Sequence, residues 1–179
     1  MSFGIKVENT NRVQVLLGNM RVSTKKINDQ LAADFAQYVY NTLMQNIKTN
    51  FFRFQPLNPV YLRWKLRNGR SEKIFISTAQ YVNSIQCRQV GGVWSVIVPN
   101  TMFHGTGGPT MRDLALILEN GSVLRHIPPR PLWAKTNAQC RAQYNSFSKA
   151  YLNKIQASMD KSFNFVTTGF SQGHSVNNG

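Results

Sequence analysis

Acidic residues are scarce in this chain. Seven carboxylates stand against 21 lysines and arginines, a formal net charge of +14 over 179 residues. They are scattered as Glu8, Asp29, Asp34, Glu72, Asp113, Glu119 and Asp160. Asp29 and Asp34 share one predicted helix but lie about 140° apart around it, so they form no acid/base pair. A metal nuclease needs clustered carboxylates, and the chain has too few. Cysteine is as sparse: Cys87 and Cys140 lie far apart, with no Cys-x-x-Cys and no histidine at metal-ligand spacing. That excludes a disulfide framework and reads as two free thiols in a reducing cytosol. His104, His126 and His174 fall in predicted loops or the tail, and no nucleophile motif accompanies them. No apolar run approaches the roughly 18–20 residues of a membrane span, and Met1 to Lys6 lacks a signal-peptide pattern. The shortages together lead to the expectation of a soluble, intracellularly made protein that is not an enzyme and uses no cofactor, metal or membrane.

What is present suits one domain with a core. Hydrophobic residues make up 42% of the chain, an ordinary fraction. The basic excess implies contact with polyanions, an acidic protein surface, or both.

In chain order, Phe3, Ile5 and Val7 alternate as a short strand. Val13 to Leu17 is an apolar patch, strand or short helix, which Gly18-Asn19 ends. Ser23 or Thr24 offers an N-cap for a long helix whose stripe is Ile27, Leu31, Phe35, Val39, Leu43 and Ile47, with Tyr38 and Thr42 on its flank. Residues 48–73 interleave Phe51, Phe52, Phe54, Tyr61 and Trp64 with Lys48, Arg53, Arg63, Lys65, Arg67, Arg70 and Lys73. From Lys48 to Val90 eight basic residues face Glu72 alone, giving +7, half the net charge. Pro56 and Pro59 keep the early part non-helical, and Tyr61 to Arg67 fits a short helix ending at Asn68-Gly69. Such interleaving has two readings: a single-strand nucleic-acid surface of stacking rings and phosphate-pairing cations, or a long loop anchored by its aromatics while its cations face solvent.

Ile74-Phe75-Ile76 begins a strand. Tyr81 to Val90 and Val93 to Val98, joined by Gly91-Gly92, give the strongest hairpin signal. Residues 100–113 read as a loop; its His104-Gly105-Thr106-Gly107-Gly108 stretch lacks the following lysine of a phosphate cradle. Ala134 to Phe163 is a second long amphipathic helix with Cys140, Tyr144, Phe147, Tyr151, Ile155 and Met159 on one face. Residues 164–179, rich in Gly, Ser and Asn, read as a flexible tail. The expected fold is α+β: an antiparallel sheet with two long amphipathic helices packed on it and a long basic loop, over one domain from 1 to 163.

The most specific stretch runs from Leu114 to Trp133. An apolar run ends at Glu119-Asn120-Gly121, and a short connector leads into Ile127-Pro128-Pro129-Arg130-Pro131. Three prolines in four positions fix φ and remove N–H donors, leaving a rigid extended segment with Arg130 its one long polar side chain. Glu-x-Gly followed by Ile-Pro-x-Arg-Pro resembles the signature of tail-completion or head–tail joining proteins of tailed bacteriophages, the virion morphogenesis family. Upstream, Pro56-Leu57-Asn58-Pro59, Leu62-Arg63-Trp64-Lys65, Gly69, Ile74 to Thr78, Tyr81-Val82 and Ser84-Ile85 follow the family's order. The resemblance covers about residues 24–160. It departs at Ala79, where the family usually has glycine, and at Leu132-Trp133 in place of Phe-Leu.

The resemblance implies a structural virion protein, assembled in the host cytoplasm and located at the head–tail neck or tail top. It would act in tail completion, as tail terminator or as head–tail connector. Its partners would be itself, in a ring usually hexameric in such families, together with connector or portal-side proteins, tail tube or sheath-side proteins, and packaged DNA. In such families the core sheet ends at this motif. Glu119 is then expected to pair with an arginine, Arg130 foremost. The assembly surface would draw on Glu119, Gly121, Ile127, Pro128, Arg130, Pro131 and Trp133, and on Arg53, Arg63, Trp64, Lys65, Arg67 and Arg70. The rival expectation is a nucleic-acid-binding protein using residues 48–73 directly.

Overall fold

The computed structural model describes the backbone of residues 10–76, 79–100 and 109–171, and their side chains except at 10–13, 15, 16 and 162–171. The elements in order are α1 (Thr10–Thr49), α2 (Pro59–Arg67), α3 (Gln80–Ser84), β1 (Gln86–Val90), β2 (Val93–Ile97), α4 (Met111–Asn120) and α5 (Leu132–Ser171). The fold is α+β, with long helices and a two-stranded antiparallel sheet. The chain divides into two compact units, Met1–Leu31 with Ser146–Gly179, and Ala32–Asn145; α1 and α5 contribute to both.

In the larger unit α1 and α5 run antiparallel. Asn46 donates to Thr136 Oγ1 and Gln139 Oε1 at 3.0 Å each. Cys140 lies against Thr42, and Phe35 meets Tyr144 edge-on at 5.0 Å. The partner number thus rises along α5 as it falls along α1. Burial lifts the Cys140 thiol above its ordinary range, partly offset by Thr42, so this cysteine behaves as a small core hydrophobe. The core gathers Leu43 and Ile47 of α1, Phe54, Phe75, Tyr81, Val82 and Ile85, Met111 of α4 and Leu132 of α5, with Val96 and Val98 packed against it. In the smaller unit Phe147 stacks on Tyr151 at 5.9 Å and Lys154 lies 4.4 Å over the Tyr151 ring.

Several sequence expectations change. Gly18-Asn19 does not end a segment; α1 runs through it from Thr10. One interior glycine costs roughly 1 kcal/mol, which a helix of 40 residues can absorb. Pro59 opens α2 instead of excluding helix, because at the first position no N–H is needed; Asn58 caps it by accepting from Val60 N–H at 2.9 Å. Residues 74–76 form no strand, with bends at 74 and 75, and Tyr81–Ser84 are helical, so the first hairpin strand shortens to Gln86–Val90. The hairpin itself pairs Gln86 with Ile97 through Val90 with Val93. Its Gly91 and Gly92 sit at φ 56° and 82°, the positive values a two-residue turn of this hand requires.

The run Leu114–Leu118 is helical rather than the end of a sheet. Thr110 and Asp113 form a reciprocal capping box that starts α4 at Met111, inside the stretch expected as loop. At the other end α5 continues to Ser171, into the expected tail. The strand at Phe3–Val7, the glycine-rich stretch 104–108 and residues 172–179 lie outside the described residues.

Candidate functional site

The Leu114–Trp133 motif folds into one corner joining α4 to α5. α4 ends at Gly121, whose φ of 77° and ψ of 178° belong to glycine. The next six residues make a tight turn: Ser122 N–H donates to Ile127 O at 2.8 Å and Ile127 N–H returns to Ser122 O at 2.9 Å. A Cβ on Gly121 would lie 2.8 Å from Ile127 O and from Pro129 N, so the two limbs touch backbone to backbone there. Arg130 N–H donates to Leu118 O at 2.8 Å, tying the proline segment to the last turn of α4. Lys135 N–H donates to Pro131 O at 3.1 Å, and α5 begins.

Glu119 has a role that sequence reading did not give it. Its carboxylate accepts from Trp133 N–H and Ala134 N–H, both at 2.9 Å. It therefore caps α5 from another helix, where an anion is favoured by the unpaired amides and the helix dipole. The expected pair with Arg130 is replaced by this arrangement. Arg130 is 3% exposed and donates through Nη2 to Gln55 O at 3.3 Å. Its Nε has no hydrogen-bond partner among the described residues, and burial lowers its pKa. The arginine is thus a strut between the corner and the 53–58 segment, not a surface contact. Trp133 Nε1 donates to Tyr81 Oη at 3.0 Å, and burial pushes the Tyr81 hydroxyl up to about 12. Glu119, Trp133 and Tyr81 hold α4, α5 and α3 together.

α2 is the second candidate surface, and its polarity is inverted. Its one buried residue is Lys65, 1% exposed, while Val60, Tyr61, Trp64 and Leu66 are exposed. Lys65 Nζ donates to Lys73 O at 2.8 Å and Ile76 O at 3.0 Å, pinning the 73–76 bend; burial first, then the Arg70 charge, lower its pKa. Its expected place on the contact surface is therefore corrected. Arg63 and Arg67 face solvent. Trp64, 44% exposed, stacks with Tyr61 at 5.6 Å and carries the Arg70 guanidinium 4.6 Å from its centroid. Arg53 is exposed at φ 50° beyond the end of α1. Phe54 is core and Phe52 packs against it, while Phe51 stays exposed, so among Phe51, Phe52 and Trp64 the anchoring reading holds for Phe52 alone.

Sequence reading missed two features. Val123 and Leu124 project from the tip of the corner turn. A groove of about 500 Å³ lies between β2 and α4, with Val96, Val98, Leu116 and Trp133 among its walls and Arg88 and Arg112 also lining it. Two aliphatic residues between Gly121-Ser122 and Arg125-His126 were the available signal for the first; the groove needs tertiary contacts and had none. Among the described residues no group of three or more His, Cys, Asp or Glu is placed to hold a metal, and no helix is long and apolar enough to cross a membrane. Set against known protein families, curated proteins and solved structures, the chain matches none of them.

Proposed function

We propose that this chain is a non-enzymatic structural virion protein, forming a ring at the head–tail neck or tail top of a tailed bacteriophage. The role is tail completion, tail termination or head–tail connection, with connector or portal-side and tail tube or sheath-side proteins as neighbours. The observation that carries the reading is the corner. The residues behind the family resemblance, Glu119, Gly121, Ile127, Pro128, Arg130, Pro131 and Trp133, converge on one rigid junction, each with a distinct mechanical task. A junction of that kind suits a subunit that must present its surfaces at fixed angles.

The exposed Tyr61 and Trp64 beside Arg63 and Arg67 favour a second reading, single-stranded nucleic-acid binding through α2. Light scattering of nuclease-treated protein in low and high salt, with absorbance ratio recorded, separates the two. A nucleic-acid-free particle of about six or twelve subunits that persists in salt supports the ring. A monomer that carries nucleic acid and sheds it in salt, as phosphate contacts must, overturns it in favour of the second reading.

A further inference from the structure

The β-hairpin has an open edge. Its sheet consists of β1 and β2, and in an antiparallel pair every second residue points its N–H and C=O away from the partner strand. Among the described residues no backbone hydrogen bond joins Val93–Ile97 to anything outside the hairpin. An unpaired row of donors and acceptors is a template for a further strand, and a two-stranded ribbon is marginal without one. The groove of about 500 Å³ beside α4 follows this edge: Val96 to Asn100 line it in succession. Successive side chains of a strand point to opposite faces, so a groove that all of them border runs along the strand's edge and not over one side. Arg88 stands opposite Ser95 and so shares a face with Ile97, while Val96 and Val98 share the other face and pack on the core.

Charge selects the occupant. Arg88 and Arg112, both exposed, border the groove. Glu119 is the one carboxylate on its lining among the described residues, and it already accepts from the Trp133 and Ala134 amides. Leu116 and Trp133 add apolar wall. A segment that suits edge, wall and charge together is extended, apolar at alternate positions and acidic between them. This chain has no such segment, since its seven carboxylates are scattered singly. We infer that an extended acidic segment of a partner protein adds to the free edge of β2 as a third strand, its apolar side chains on the groove wall and its carboxylates on Arg88 and Arg112. Main-chain hydrogen bonds then supply affinity, and the two arginines select the sign of the partner's charge. The inference goes beyond the ring reading and does not depend on it.

The probe is a short fluorescein-labelled peptide alternating valine with glutamate, titrated with the nuclease-treated full chain by fluorescence anisotropy. Wild type is expected to bind it, to release it as salt rises, and to bind the valine–lysine counterpart at least about 10-fold more weakly. Arg88→Glu, Arg112→Glu and Leu116→Lys each change an exposed side chain. An unchanged melt confirms their folding, and each should weaken binding about 5-fold or more. Arg141→Glu combined with Lys149→Glu, exposed on α5, reverses more charge away from the groove and should weaken binding less than any of the three. Two further peptides, one N-methylated at every valine and the other at every glutamate, test the strand. Alternate N–H groups point to opposite edges, so one of the two should lose binding while the other keeps it. Equal loss in both overturns the third strand. Absence of binding, equal binding of the lysine peptide, or a loss in the α5 variant that matches the groove variants also overturns the inference, the last by assigning binding to the field of the whole chain. Light scattering on the same samples covers the remaining occupant. An oligomer that Leu116→Lys dissociates while the peptide stays unbound gives the groove to a second copy, which overturns the inference and leaves the ring reading standing.

Discussion

Replacing Gly121 by alanine should damage the corner more than its single methyl group suggests. The residue sits at φ 77° and ψ 178°, a region that costs a residue with a Cβ of the order of 1–3 kcal/mol. The new Cβ would also lie 2.8 Å from Ile127 O and Pro129 N and 3.1 Å from Pro129 Cδ. None of these is the end of a flexible side chain, so the proline limb has to move. That movement strains the Ser122–Ile127 pair, worth about 0.5–1.5 kcal/mol per hydrogen bond. The sum is roughly 2–4 kcal/mol, or roughly 5–15 °C in melting temperature for a chain of this length. Gly91→Ala is the control: φ is 56° but nothing lies within 4 Å of a Cβ there, leaving backbone strain of about 1–2 kcal/mol. Thermal melts followed by circular dichroism decide. If Gly121→Ala melts within about 2 °C of Gly91→Ala, the close approach at the corner does not matter and the reasoning fails.

Three further outcomes can be measured on the same footing. Ala79 holds φ 63°, a conformation that favours glycine, so Ala79→Gly should stabilise by about 0.5–1 kcal/mol in urea titration, relief of strain outweighing added unfolded-state entropy. Lys65→Ala leaves the carbonyls of Lys73 and Ile76 without their charged donor and should cost roughly 2–4 kcal/mol, whereas the exposed Arg63→Ala and Arg67→Ala should stay within about 0.5 kcal/mol; equal losses at all three would refute the inverted face of α2. Tyr81 ionises at about 12 in the fold against 10.0 free. Its folded value is the higher, so its contribution is complete below pH 10 and drains away towards pH 12, about 2–3 kcal/mol in all. Comparison with Tyr81→Phe at each pH isolates it, and an unchanged difference between pH 9 and 12 would contradict it.

The long helices were legible because their signal is periodic and local. Leu43, Ile47, Cys140 and Tyr151 were placed on inward faces by spacing, and all four are buried. The Gly91-Gly92 turn was legible because its chemistry is confined to two residues. What failed was decided elsewhere in the chain. Tyr81-Val82 are apolar and aromatic and read as strand, yet the turn at Ala79 and the bond from Trp133 to Tyr81 place them in a short helix. Leu114–Leu118 read as a run because the capping pair Thr110–Asp113 was taken for loop. Glu119 and Arg130 were expected to pair with each other, and the structure gives each a different partner. Their partners, the Trp133 and Ala134 amides and the Gln55 carbonyl, are backbone groups, which carry no sequence signature.

That choice of partners bears on assembly. Residues 32–145 hold thirteen lysines and arginines against Asp34, Glu72, Asp113 and Glu119, a net +9. Two of those four carboxylates are engaged at helix N-termini, Asp113 at α4 and Glu119 at α5, which leaves the arginines at the surface largely uncompensated. Copies of this chain therefore repel one another at long range, and a self-contact has to be apolar and short-range to win. Contacts to acidic neighbours or DNA gain from the same field. The two kinds of contact respond oppositely to salt, the first strengthened by screening and the second weakened. Any contact between copies of this chain should therefore tighten as salt rises, and any contact to an anionic partner should loosen, which sedimentation across a salt series would read directly.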